Sequence, residues 1–155
     1  MSATLGQISL ITALALSAYS IAASILGIHL KQQSLIISGR RAIYLTLFIL
    51  LVATLTLVIA FLDNQFNIKY VAEHSNLSMP RIYTWVAFYA GNEGSLLYIA
   101  FSLSAATAVL ARAMPYRLGN LRPYTTSVLM AIQLFFLVVM VLLANPFAEL
   151  NNIPR

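Results

Sequence analysis

The sequence predicts an all-α integral membrane bundle of four transmembrane helices, with a short interfacial helix in the connection between the second and third. Three observations carry this. Hydrophobic residues make up 61% of the chain and charged residues 8%, the mean hydropathy is +0.86, and the apolar residues lie in four long runs without alternation. Such a composition belongs to a chain built for lipid. Unpaired backbone groups cannot be hydrated in hydrocarbon, so only helices or closed barrels span it. Barrel strands alternate apolar and polar residues, and these runs do not. At 155 residues the chain reads as a single membrane domain, 1–155.

Crossing a hydrocarbon core takes about 20 residues at about 1.5 Å of rise each. The first span is placed at 8–30. No Lys or Arg precedes it and the apolar run is too long for a cleaved signal, so it is read as retained. Ala18 with Ala22, Ser20 with Ser24, and Ala23 with Gly27 put small residues four apart, a spacing that lets helix backbones approach closely in lipid. The second span, 42–62, is dominated by Leu, Val and Ile and is expected to face lipid or a large apolar partner. Its Thr46, Thr54 and Thr56 can bond back to their own helix. The third, 91–111, becomes fully apolar only at Ser95, so the turn at 91–94 sits at the interface. Ser102 with Ala106 and Ser104 with Ala108 repeat the small-residue spacing there. The fourth, 124–144, presents Phe135 to Val139 toward lipid and carries one central amide, Gln133, expected to make a helix–helix hydrogen bond.

Charge sets the orientation. Lys31, Arg40, Arg41, Arg112, Arg117 and Arg122, six of the nine basic residues, fall on one side of this topology, which is therefore expected to be cytoplasmic. All four acids, Asp63, Glu73, Glu93 and Glu149, fall on the other, with both termini extracytoplasmic. Clustered inner-loop bases account for the net charge of +5, and without an aromatic-interleaved basic surface no nucleic-acid partner is expected. The absence of cysteine excludes disulfides, thiolate metal sites and thiol chemistry within the chain. The two histidines, His29 and His74, lie at opposite membrane faces and cannot share a metal ion. His29 fits a helix C-terminus on the basic side.

The outer connection, 63–90, is chemically the richest segment, and function concentrates in such places. Ser78 and Pro80 resemble a helix cap with proline in the first turn. Arg81, Ile82, Tyr83, Trp85, Val86, Phe88 and Tyr89 then form an aromatic, amphipathic stretch suited to a helix lying in the interface. It is either a surface anchor or a platform for a flat apolar ligand. Just beyond, Gly91-Asn92-Glu93-Gly94-Ser95 opens the third helix. Glu93 in the first turn complements the macrodipole, and Asn92 or Ser95 can cap free N–H groups, so a structural role suffices. An acid at the membrane boundary equally marks a proton or ligand site, and the flanking glycines let another backbone or a ligand come near.

The run Tyr70-Val71-Ala72-Glu73-His74-Ser75-Asn76, then Trp85, then Gly91-Asn92-Glu93-Gly94-Ser95-Leu96-Leu97, and finally Asn145-Pro146-Phe147, resembles the N-terminal part of the CcmF/NrfE-type cytochrome c haem lyases. That family carries Gly-X-His-Glu-Gly-Ser-Leu-Leu at the outer mouth of a membrane helix. The match falls on Gly91, Glu93, Gly94, Ser95, Leu96 and Leu97. Where the family usually has histidine, this chain has Asn92, which can neither ligate haem iron as imidazole does nor shuttle a proton near neutral pH.

The resemblance implies a machine of the bacterial cytoplasmic membrane that receives haem on the extracytoplasmic side, keeps its iron reduced and delivers it to the thiols of apocytochrome c. The family's haem-ligand histidines and tryptophan-rich loop belong to later segments, so haem ligands are expected outside this chain and no metal ligands or catalytic residues within it. Gly91, Glu93, Gly94 and Ser95 then form a functional rim, with His74, Trp85 and Asn92 as candidate outer-loop contacts. The remainder of the lyase or other maturation membrane proteins, apocytochrome c and lipid become the implied partners. The alternative is a small structural subunit of a respiratory or transport complex, in which 91–95 is only a capped helix start. A transporter half is disfavoured because no broken mid-membrane helix is evident.

Overall fold

The computed structural model describes residues 2–63, 68–74, 91–115, 119 and 121–148. Its long helices are α1 (Ser2–His29), α2 (Gln33–Leu62), α4 (Asn92–Ala113) and α5 (Leu121–Leu142), with a short α3 (Lys69–His74) between α2 and α4. All four long helices have the length and apolar character needed to cross a membrane, and the chain is an integral membrane protein. The 63–90 connection thus does contain a short helix, at Lys69–His74. The aromatic stretch expected to form one, from Pro80 to Tyr89, lies outside the described residues.

The second helix begins nine residues before the expected boundary at 42. Its first turns carry Gln33, Ser34, Arg40 and Arg41, which hydropathy reads as a connection, yet they continue the helix beside α1. The reversal needs only residues 30–32. Lys31 adopts a left-handed conformation (φ 53°), and the Gln32 N–H donates to the Gly27 carbonyl at 2.9 Å. So short a turn makes α1 and α2 antiparallel neighbours.

α1 packs against α2 and α5, and α4 packs against both α2 and α5, closing a ring in the order α1–α2–α4–α5. One end of the ring, the rim end, gathers the N-terminus of α1, the C-terminus of α2, α3, the N-terminus of α4 and the C-terminus of α5. The other, the basic end, holds the α1–α2 turn and the α4–α5 connection.

Where lipid is as apolar as leucine, contact between helices depends on close packing and polar bonds. Along α1 one of the small-residue rows supplies this: Ser20, Ala23, Ser24 and Gly27 are buried, while Ala18 and Ala22 are exposed. The Ser20 hydroxyl donates to the Gly39 carbonyl at 2.9 Å. A Cβ at Gly39 would lie 2.6 Å from Ser24 Oγ and 3.2 Å from the Ser20 carbonyl oxygen, so glycine is what permits the approach. In α4 the same division holds, with Ser104 and Ala108 buried and Ser102 and Ala106 exposed.

α2 does not simply face lipid. Ala42, Ile43, Leu50, Ala53, Leu57 and Ala60 are buried along one face, whereas Phe48, Leu55 and Ile59 point outward. α5 is divided likewise, with Leu137 buried and Phe135 exposed. Thr46, Thr54 and Thr56 each donate to the carbonyl four residues earlier, at 2.8 Å. Gln133 departs from expectation. It is fully buried, yet neither side-chain atom has a hydrogen-bond partner among the described residues, and nor does the buried Ser104 Oγ. Its backbone position on α5 satisfies packing but brings no matching donor or acceptor within reach.

Candidate functional site at the rim

The rim is built where α3 meets the start of α4. Phe61, at the end of α2, packs edge-on against the Tyr70 ring with centroids 5.5 Å apart and an interplanar angle of 85°. With Ile68 and Val71, both buried, this fastens α3 onto the bundle core. The chain therefore brings the Tyr70 hydroxyl to the mouth of α4, where the Gly91 N–H donates to it at 3.2 Å.

That contact answers a question every helix start poses, because the first N–H groups have no partner within the helix. Gly91 is the N-cap residue, has extended backbone (φ −94°, ψ 165°) and offers no side chain. Neither Asn92 nor Ser95 caps the helix as the sequence allowed. Asn92 is exposed, and the Ser95 hydroxyl instead donates to the Asn92 carbonyl at 2.9 Å. The cap comes from Tyr70, 21 residues upstream. Burial pushes the Tyr70 hydroxyl above its usual pKa, the backbone N–H groups of Gly91 and Gly94 pull it partly back, and the Glu93 carboxylate adds to the upward push.

Glu93 occupies the first turn of α4, where a carboxylate complements the macrodipole. It is half-buried, beside the fully packed Gly94 and the exposed Asn92. Its neighbours are thus held by backbone and by a phenol, while the acid itself keeps a path outward. His74 ends α3, but its side chain lies outside the described residues, as does all of Trp85. Among the described residues no group of three His, Asp or Glu side chains converges to hold a metal. His29 sits exposed at the basic end, far from the rim. The described side chains therefore do not fit a haem-iron site.

A second contact completes this end. After α5, the Asn145 side-chain carbonyl accepts from the Phe147 N–H at 2.9 Å, a local turn that aims the Phe147 ring back into the bundle. Phe147 is fully buried and lies over Gly6 of α1, where any Cβ would overlap the ring. Tyr70 and Phe147 belong to the same core cluster. The Tyr70 cap and the Gly6–Phe147 contact were both missed by sequence reasoning, since each joins residues distant in the chain. The only local signals were a tyrosine between apolar neighbours and an Asn-Pro-Phe turn.

No family model matches the chain. It is 28% identical over 149 residues to the cytochrome c-type biogenesis protein CcmF of Pseudomonas fluorescens, covering 94% of this chain and 22% of that protein. It is 32% identical over 101 residues to the cytochrome c-type biogenesis protein NrfE of Haemophilus influenzae, covering 63% of this chain and 15% of that protein. A solved structure titled cytochrome c heme lyase CcmF superposes with a TM-score of 0.87 at 28% identity, over 98% of this chain and 26% of that one. The chain spans about a fifth of the length of the curated relatives it matches. In sequence and in fold it corresponds to the N-terminal part of the CcmF/NrfE-type cytochrome c biogenesis proteins.

Proposed function

We propose that the chain is the N-terminal membrane part of a cytochrome c haem lyase, and that its rim end supports delivery of haem and its attachment to apocytochrome c. The observation that carries this is convergence. Tyr70 begins one matching segment, Gly91 begins a second, and Phe147 ends a third; all three lie at the rim end, with the first two in direct contact. Packing alone explains Tyr70, Gly94 and Phe147. It does not call for an acid, and Glu93 is the one ionisable side chain placed among them with an outward path.

In this reading the rim faces the extracytoplasmic side of the bacterial cytoplasmic membrane, both termini lie on that side, and the six-base end faces the cytoplasm. Haem is cargo. Its iron ligands come from the remaining lyase segments or from other membrane proteins of cytochrome c maturation, and the thiols come from apocytochrome c. Glu93 supplies a negative charge or a proton acceptor at the contact with those partners, while Gly91, Gly94 and Ser95 keep the helix mouth open to close approach. Asn92 replaces the family histidine, so the acid carries whatever proton traffic passes this rim.

The test is Glu93→Gln in a strain whose c-type cytochromes are read by haem staining, with the amount of chain in the membrane measured alongside. A several-fold loss of covalent haem at unchanged chain abundance is expected, with Glu93→Asp retaining part of it. Normal cytochrome yield in the Gln variant would refute the role of the carboxylate.

A further inference from the structure

At the basic end, opposite the rim, all four long helices line one small indentation. Ser24 comes from α1, Arg40 from α2, Ala111 from α4, and Arg122 and Thr126 from α5. Counting its open side it measures about 300 Å³, and its recess is about 20 Å³, room for a single oxygen-sized atom. Two guanidinium groups therefore border a cleft that admits one oxygen deeply and leaves space for a larger group at its mouth.

The electrostatics of this cleft are one-sided. Arg122 is 8% exposed, so it does not reach out to water as membrane-boundary arginines commonly do. Its Nη2 donates at 3.1 Å to the carbonyl of Ala111, near the C-terminus of α4. That is a dipole and not a countercharge. Arg122 also stands in the first turn of α5, which contains no acid and whose N-terminus adds further positive potential. Arg40 adds a second full charge. The four acidic residues of the chain, Asp63, Glu73, Glu93 and Glu149, all belong to the segments at or following the rim end, so no carboxylate side chain is available to this end of the bundle.

Holding two guanidiniums near one another at a membrane boundary without an acid is costly, and an anion placed between them removes that cost. Planar guanidinium forks match the oxygens of phosphate, and basic pockets between transmembrane helices suit anionic headgroups. We propose that this cleft is a phosphate-group site, with one oxygen in the recess between Arg40 and Arg122 and the rest of the group at the open side, and that the phosphodiester of an anionic phospholipid is its source.

The experiment uses the full chain purified in nonionic detergent. Lipid retention is read by native mass spectrometry after incubation with equal phosphatidylglycerol and phosphatidylcholine. A parallel arm reads thermal protection by inorganic phosphate against chloride at matched ionic strength. The expected result is at least a fivefold preference for phosphatidylglycerol, reduced at least threefold in Arg40→Gln and in Arg122→Lys. The half-buried Arg40 keeps the test valid if the Arg122 variant fails to fold. Protection by millimolar phosphate without retention of phosphatidylglycerol would overturn the lipid source. No preference in either arm, or a preference unchanged in Arg40→Gln, would overturn the site.

Discussion

Replacing Tyr70 by Phe removes one oxygen and leaves the rest of the rim in place. The lost contact is the bond from the Gly91 N–H at 3.2 Å. The ring and its edge contact with Phe61 at 5.5 Å remain. A single neutral hydrogen bond contributes about 0.5–1.5 kcal/mol net, and leaving a half-buried N–H without it places this case near 1 kcal/mol. Tyr70→Ala also vacates a fully buried aromatic site, so it should cost about 3–5 kcal/mol. The two variants are compared by reversible denaturant unfolding in detergent, with circular dichroism as readout.

A pH arm separates the hydroxyl from general packing. Because burial raises the Tyr70 pKa in the fold, the folded state holds its proton more tightly than the unfolded one. The associated stability is fully present below the ordinary tyrosine value of about 10 and is lost as pH rises through the higher folded value. Wild type should lose stability above pH 10 more steeply than Tyr70→Phe. Equal costs for the Phe and Ala variants, or identical alkaline profiles for wild type and Tyr70→Phe, would refute the Tyr70 cap.

Gly6→Ala should destabilise by about 1–3 kcal/mol, because its methyl overlaps the buried Phe147 ring, and Phe147→Leu in the same background should recover part of that loss in a double-mutant cycle. Gln133→Leu should leave stability unchanged or raise it by about 1 kcal/mol, since the buried amide has no partner among the described residues; a loss above 2 kcal/mol on the same unfolding assay would reveal a contact from elsewhere. The chain has no native cysteine, so single cysteines at the exposed Lys31 and Asp63 report topology directly. An impermeant maleimide applied to spheroplasts should label Asp63→Cys, and Lys31→Cys only after permeabilisation.

The four spans were legible because lipid imposes a length and a composition that sequence displays directly. The boundary at 42 was not, because Arg40 and Arg41 read as loop residues although their stems continue a helix held against Ser20 and Ser24. Self-bonding by the α2 threonines followed from local geometry and could be foreseen. Which row of small residues faced inward could not, since rows one residue apart look alike until a partner helix selects one. At the rim, the motif 91–95 identified the place but not its construction. The capping oxygen comes from Tyr70 across a long connection, a tertiary contact with no periodic signature. Gln133 shows the reverse failure, where an amide in an apolar helix suggested a bond that the facing helices do not supply.

The central claim is that this chain serves cytochrome c maturation from the rim end of a four-helix membrane bundle. Its most direct test is the covalent haem content of c-type cytochromes in a strain lacking the gene, measured on haem-stained gels with and without the gene restored on a plasmid. Loss of stained cytochrome on deletion and its return on complementation are predicted. Unchanged haem staining in the deletion strain would contradict the claim.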